Sequence, residues 1–392
     1  MFKSNPKISY YSPVFLFILL RLVLYLSLPL EGLRGYGDFV HFYSMAGMGW
    51  PFINYWVEFP PIFPFLSTIL YHLAGGLEHV YNYLLAFSLI ACDGLSLMVF
   101  LRLVYRLNDE VEAAPRVWVY FALLAGLAYS WWYFDALVVL ALLLSLEYLL
   151  KGHDIRLGLV MAAGTLTKFF PIMGLIVVWR QRSFRRAILT TILTLGLTLV
   201  VWFGLYALSP KMTLASLRSQ ANKGSWETVW ALIDGNLHTG NFGADIERFD
   251  ASTAALPRGN PPRIPSWLTF IGFAGIGAYF FFKAGRLNER AGVTFLGFAW
   301  CLFLLWSPGY SPQWVLYLLP LILLVLPIQR GVLLTISLVL VNLLEWPLLL
   351  SRGLFWSLWI VVPVRTILII LLTVEFWKTV KSNNKNYWLH PS

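Results

Sequence analysis

The stretch PVFLFILLRLVLYLSLPL, residues 13–30, carries one charge, Arg21, in an otherwise apolar run. About 20 mostly apolar residues in a helix cross the hydrocarbon layer of a bilayer, so this run reads as a membrane span. Lys3 and Lys7 precede it, as they would in a signal peptide, but no small-residue cleavage site follows, and it reads as a retained first span. Similar runs recur along the chain, with one polar exception from Ser209 to about Pro265. Composition agrees. Of 392 residues, 59% are hydrophobic and 12% charged, against roughly a quarter charged in soluble domains, and mean hydropathy is +0.70. A soluble enzyme is excluded.

The basic clusters set the orientation. Lys3 and Lys7; Arg102, Arg106 and Arg116; Lys151 and Arg156; Arg180, Arg182, Arg185 and Arg186; Lys283, Arg286 and Arg290; Arg330; and Lys378, Lys381 and Lys385 should all be cytoplasmic. The net charge of +10 is then a property of inner loops, and nucleic-acid binding is set aside. Segments 31–61, 131–134, 209–265, 307–313 and 351–354 face outside. The 209–265 segment holds six Lys/Arg, but long loops translocate largely regardless of charge. Parity then constrains two apolar runs. Between Glu31 outside and Arg106 inside, 61–77 and 80–103 cannot both cross. The first contains Pro61 and Pro64, ends in Gly75-Gly76, and reads as an outer-leaflet or re-entrant element. Segment 156–179 is basic at both ends, so it folds as two short helices meeting at Lys168 near the outer side. Irregular backbone at membrane depth lines protein or a water-filled cavity, so both features point to one outward cavity. No inverted internal repeat is visible. The expectation is an all-α polytopic bundle of about 10–12 helices, some short or re-entrant, with one large extracytoplasmic loop.

Charged residues in or near the apolar layer are candidates for function by default. Asp38 follows the first span in Arg34-Gly35-Tyr36-Gly37-Asp38-Phe39, where helix capping is the alternative. His41 shares a helical face with Asp38 at i, i+3, or is an interfacial polar residue. Glu58 precedes Pro60-Pro61, which end the first external loop; it is an active-site carboxylate or a solvated one. Asp135, in Trp131-Trp132-Tyr133-Phe134-Asp135, starts an outer helix and is again a possible cap. Lys168 sits at a helix break as a point charge suited to phosphate, or snorkels. Arg21 and Arg365 also reach for an anionic head group, unless they form inter-helix pairs with residues such as Asp93 or Glu345. Trp226, Trp230 and Ile233 fit one helical face, either lying on the bilayer or forming a sugar platform. With His238, Trp226 and Trp230 are the acceptor-binding candidates. Tyr310 and Gln313 lie in another outer turn. Cys92 and Cys301 read as small core hydrophobes. There is no Walker A loop, G-x-S-x-G, H-E-x-x-H or Cys-x-x-Cys, which argues against a nucleotide-driven pump in this chain, and no cofactor is expected.

The order and spacing of Asp38, Pro60-Pro61, Phe134-Asp135-Ala136-Leu137 and Thr167-Lys168-Phe169-Phe170-Pro171 resemble the GT-C glycosyltransferases that use polyprenyl-phosphate sugars. The run Ile90-Ala91-Cys92-Asp93-Gly94-Leu95 through Leu101-Arg102-Leu103 looks like a span of the GPI first mannosyltransferase catalytic subunit. The bacterial and archaeal polyprenol-phosphate-mannose-dependent α-mannosyltransferases are similar. The resemblance covers residues 10–180 and, loosely, 295–330. It implies a GT-C-like module over 1–208 with a catalytic first external loop (31–61); polarity and charge add an extracytoplasmic loop at 209–265, C-terminal transmembrane helices at 266–378 and a cytoplasmic tail at 379–392. It implies an inverting hexosyl, most simply mannosyl, transfer from a polyprenyl-phosphate donor to a lipid, glycan or protein acceptor at the outer face of the cell membrane. Asp38 occupies the general-base position. An Asp-x-Asp signature is missing, which leaves a divalent metal open. The competing readings are a transporter or flippase of a lipid-linked sugar, and a non-catalytic partner of another membrane enzyme.

Overall fold

The computed structural model describes residues 6–127, 129–240 and 243–389; Lys3 of the first basic cluster falls outside them. Helix α1 (Pro6–Ser27) is the first span. The segments α2 (Leu30–Arg34), α3 (Phe39–Ala46) and α4 (Ile62–Leu73) follow at one end of the bundle, before α5 (Glu78–Leu107) returns through it. At 12 residues, α4 is about 18 Å long, well short of the roughly 30 Å layer. Positive φ at Gly75 and Gly76 then turns the chain into α5. This segment is therefore too short to cross the layer as one straight helix.

Next come α6 (Glu110–Gly126), α7 (Tyr129–Trp132), α8 (Asp135–Lys151) and α9 (Asp154–Thr167). Lys168 is extended (φ −156°, ψ 139°) and breaks the helix. A 3₁₀ turn (Phe170–Gly174) leads into α10 (Leu175–Gln181). Arg182, just beyond α10, lies 3.1 Å from Asp154 at the start of α9. The two short helices thus form a hairpin with both bases at the basic end and Lys168 at the opposite tip, as the charge pattern required.

Helix α11 (Phe184–Leu208) leads to the large loop, which contains α12 (Pro210–Asn222) and α13 (Val229–Asp234). The C-terminal part is α14 (Ser266–Ala284), α15 (Glu289–Trp306), α16 (Val315–Val325), α17 (Ile328–Leu343) and α18 (Leu358–Leu389). The chain from 379 continues α18 as helix rather than forming a separate tail. Among the described residues there are isolated bridges but no strands.

Among the described residues seven helices are long and apolar enough to cross a membrane. With the shorter α4, α6, α8, α9, α10 and α16, which pack among them, the set comes to thirteen, close to the expected ten to twelve. The chain is an all-α, multi-pass membrane protein. Its largest core joins α5, α8, α15 and α16 through residues such as Phe100, Leu143, Trp300 and Leu319. At the basic end, Arg102 pairs with Glu147, Arg106 with Glu289 and Arg186 with Asp154. Arg116, of the same basic cluster as Arg102 and Arg106, turns inward. It is buried in α6 and donates at 2.8 Å to the carbonyls of Leu323 and Leu326, satisfying acceptors at the end of α16.

The topology is open to labelling. Ile246, 73% exposed in the large loop, should react as Ile246→Cys with an impermeant thiol reagent on intact cells. Arg330→Cys, at the basic end, should react only after lysis. The reverse pattern would invert the orientation.

Candidate active site

The turn before Asp38 is fixed by two glycines pressed on Trp132. Gly35 has φ +52°, and a Cβ there would meet the indole at 2.2 Å; one at Gly37 would meet the Trp132 carbonyl oxygen at 2.5 Å. Trp131 donates to the Leu33 carbonyl at 3.0 Å and Tyr133 to that of Tyr36 at 3.1 Å. The aromatic segment before α8 therefore clamps the loop that carries Asp38. Asp38 occupies the N-cap position of α3, but its side chain makes no capping hydrogen bond. Its carboxylate instead faces a cavity of about 560 Å³.

That cavity gathers His41, Glu58, Asp135, Lys168, Trp226 and Gln313 from the sequence candidates. Asp135 accepts from Lys168 at 2.6 Å and from the Tyr317 hydroxyl. Neither Asp135 nor Asp38 is spent on a helix cap. The Lys168 ammonium lies 4.9 Å from the Phe134 ring centroid and 5.6 Å from that of Trp314, within cation–π range. Lys168 is thus a held cation at the cavity wall, not a snorkelling one.

Glu58 is 3% exposed, so it is not a solvated loop carboxylate. Arg248 engages both of its oxygens. His41 lies 3.6 Å from Glu58 and 3.0 Å from Asp245. Burial opposes the Glu58 charge, but Arg248 and His41 outweigh it and hold the carboxyl below its ordinary range. Burial likewise disfavours the His41 cation, and the hydrogen bonds it donates to the Asp245 and Glu58 carboxylates reverse that and raise it to about 9. Asp38 differs. Protein encloses the cavity, and withdrawal from bulk water raises its carboxyl to about 6 against the pull of His41. Its side chain is still open to the cavity, where water moderates the shift, so the direction governs its chemistry: a carboxylate of raised basicity.

Five sequence candidates lie elsewhere. Arg21 is buried against Trp131 at 4.1 Å and donates to Ser130 at 2.7 Å, away from the cavity lining. Arg365 forms a buried pair with Glu345 and covers the Tyr310 ring at 3.8 Å, while Tyr310 donates to Asn342 at 2.9 Å. The inter-helix alternative is therefore the observed one for Arg365, and Tyr310 serves the same network. Trp230 donates to the Leu305 carbonyl at 3.0 Å and lies outside the lining, as does His238, whose Nδ1 is 2.6 Å from the Thr239 oxygen. The expected helical face of Trp226, Trp230 and Ile233 does not form. Thr228 accepts from the Ala231 amide at 3.1 Å and caps α13, so Trp226 precedes the helix and bridges to Gly309.

Several lining residues were not anticipated: Gln220, Lys223, Glu227, Arg248 and Trp346. Lys223 lies 3.5 Å over the Trp226 ring, and burial lowers its ammonium to about 7. Among the described residues no three His, Cys, Asp or Glu side chains form a metal-holding group. Beside the cavity runs an apolar groove of about 370 Å³ between α10, α14 and α15, and the two share Phe303 and Trp306. Chemically the site offers a basic carboxylate, held cations, amide and hydroxyl groups, and aromatic walls.

No family model and no curated protein matches the chain. Among solved structures it is similar to the crystal structure of the Archaeoglobus fulgidus oligosaccharyltransferase in the apo form, with 12% sequence identity and a TM-score of 0.45. The match covers 96% of this chain and 56% of that one, so the chain spans about half the length of that protein.

Two stability outcomes follow from the buried pair. Arg248→Met strands the Glu58 charge and should destabilise the fold by about 3–5 kcal/mol, with less loss in the Glu58→Gln/Arg248→Met double variant. The His41 contribution is fully present below its unfolded value of about 6.5 and is lost as pH rises through about 9. Thermal unfolding across this range should show an alkaline loss that His41→Gln abolishes.

Proposed function

We propose that the protein is a GT-C-type glycosyltransferase that moves a hexose, with mannose the first candidate, from a polyprenyl-phosphate donor to an acceptor hydroxyl. The observation that carries this reading is the junction at Phe303 and Trp306, where a polar, carboxylate-bearing cavity meets an apolar groove facing the bilayer. A lipid-borne sugar needs both surfaces at once. Aromatic walls from Trp226, Trp314 and Trp346 suit the apolar faces of a sugar, and Gln220 and Gln313 suit its hydroxyls.

In the reaction the acceptor oxygen attacks the anomeric carbon, its proton passes to Asp38, and the carbon–oxygen bond to phosphate breaks with inversion. Among the described residues the Asp38 carboxylate accepts no capping hydrogen bond, which leaves its lone pairs for this proton. The departing polyprenyl phosphate needs positive charge. Lys168 donates one hydrogen to Asp135, and its ammonium has two more. Asp135 and Tyr317 position it. Glu58, bound to Arg248, shapes the cavity and does not move protons.

The flippase reading needs a polar route through the bundle. Beneath Lys168 the packing is apolar, built by Leu142, Leu146, Met161 and Leu296, and the titratable cavity groups stay at one end. This favours transfer over transport.

Incubating the purified protein with polyprenyl-phosphate mannose and candidate lipid acceptors should yield a mannosylated product by mass spectrometry. Asp38→Asn should lose about 10²–10⁴-fold in turnover while donor binding and thermal stability persist; near-normal turnover would sink the general-base role. The wild-type rate should fall with acidity through about pH 6 as Asp38 protonates. Lys168→Ala should weaken donor binding; unchanged affinity in a folded variant would remove Lys168 from the phosphate site.

A further inference from the structure

The end of the bundle opposite Asp38 carries a second polar cleft. Its volume is about 300 Å³, and it is lined by Arg102, Leu103, Tyr105, Arg106, Glu147 and Lys151. Lys151 closes α8, whose first residue is Asp135, so the two sites are separated by about 24 Å of helix.

Charge in this cleft does not balance. Arg102 Nε lies 2.6 Å from one Glu147 oxygen and its Nη2 2.9 Å from the other, and Lys151 reaches the first oxygen at 2.8 Å. Two cations thus share one carboxylate. Arg106 turns away to Glu289 and to the Leu150 carbonyl. Among the described residues, Arg102 Nη1 and two of the three Lys151 ammonium hydrogens have no protein acceptor. Glu147 is buried, so it orders both cations while leaving one positive charge in excess.

The surroundings are those of a membrane surface. The Tyr105 ring in the cleft lies 5.1 Å from that of Tyr10, which meets Tyr11 edge-on at 4.8 Å. Tyrosines of this kind mark the bilayer interface. From Tyr11 the spacing i, i+4, i+8 places Phe15 and Leu19 on one face of α1, and both are more than 60% exposed. An apolar stripe therefore runs from the cleft toward the bilayer interior, where acyl chains would lie.

We infer that this cleft is a binding site for the phosphate group of an anionic phospholipid in the leaflet opposite the Asp38 cavity. Basic pockets between transmembrane helices recognise such head groups. The phosphate oxygens accept from Arg102 Nη1 and Lys151, and the acyl chains follow α1.

The test is a lipid titration of the purified chain in detergent, read by thermal unfolding. Ligand that binds only the folded state raises the Tm as its concentration rises. Phosphatidylglycerol should raise it and phosphatidylcholine should not; equal shifts from the two overturn the site. Inorganic phosphate at matched concentration should have little effect, and a shift as large as that of phosphatidylglycerol would overturn the lipid assignment in favour of a soluble anion. Lys151→Gln leaves Glu147 paired with Arg102, so it should fold, with phosphatidylglycerol affinity about fivefold weaker, the factor one cation contributes at a charged bilayer surface. Lys378→Gln, an exposed cation on α18, should keep the wild-type response. An undiminished shift in Lys151→Gln, or an equal loss in Lys378→Gln, shows only general charge attraction and overturns the proposal.

Discussion

A lysine within an apolar run must find an anion, and the 2.6 Å contact between Lys168 and Asp135 is the constraint around which the upper half of the bundle is organised. It fixes the tip of the α9–α10 hairpin against the first turn of α8. Tyr317 on α16 shares the same carboxylate, so three elements distant in sequence meet at one ion pair. Water-depleted surroundings make such a pair costly to separate, because either charge left alone is uncompensated. The hairpin therefore cannot straighten into a single span, and its irregular backbone lines the cavity rather than lipid.

Around this anchor the carboxylates divide by partner. Asp135 is paired with Lys168 and Glu58 with Arg248, whereas Asp38 has no paired cation among the described residues. Of these three cavity carboxylates, two are therefore structural anions and one is left without a cation partner, with identity set by neighbours rather than residue type. The glycine turn on Trp132 adds positional control: with no Cβ at Gly35 and Gly37, the loop packs directly on the indole and presents Asp38 from a rigid platform.

Much of this was legible in the sequence because membranes restrict what charge and proline can do. The Lys168 break, the short α4 and the basic inner end all follow from charge parity and the span length. Asp38, Asp135 and Lys168 stood out as polar residues in apolar context. The Glu58–Arg248 pair was illegible, since its partners lie in two polar loops where charge is unremarkable. The tryptophan face failed for a local reason. Periodicity linked Trp226 to Trp230, but Thr228 between them is a good N-cap, and a cap overrides a three-point periodicity. Arg365 illustrates the limit of the membrane-charge rule, which flags a buried cation without telling a ligand site from a partner such as Glu345.

The Glu58–Arg248 contact also sets a clock on biogenesis. Its two halves are 190 residues apart, and ribosomes add roughly 5–20 residues per second. For about 10–40 s after Glu58 is made, its carboxylate has no Arg248 guanidinium to meet. During that interval the nascent chain already carries Asp38 but lacks the Arg248 wall of its cavity. Asp38 is therefore made well before the far loop that completes the walls of its cavity.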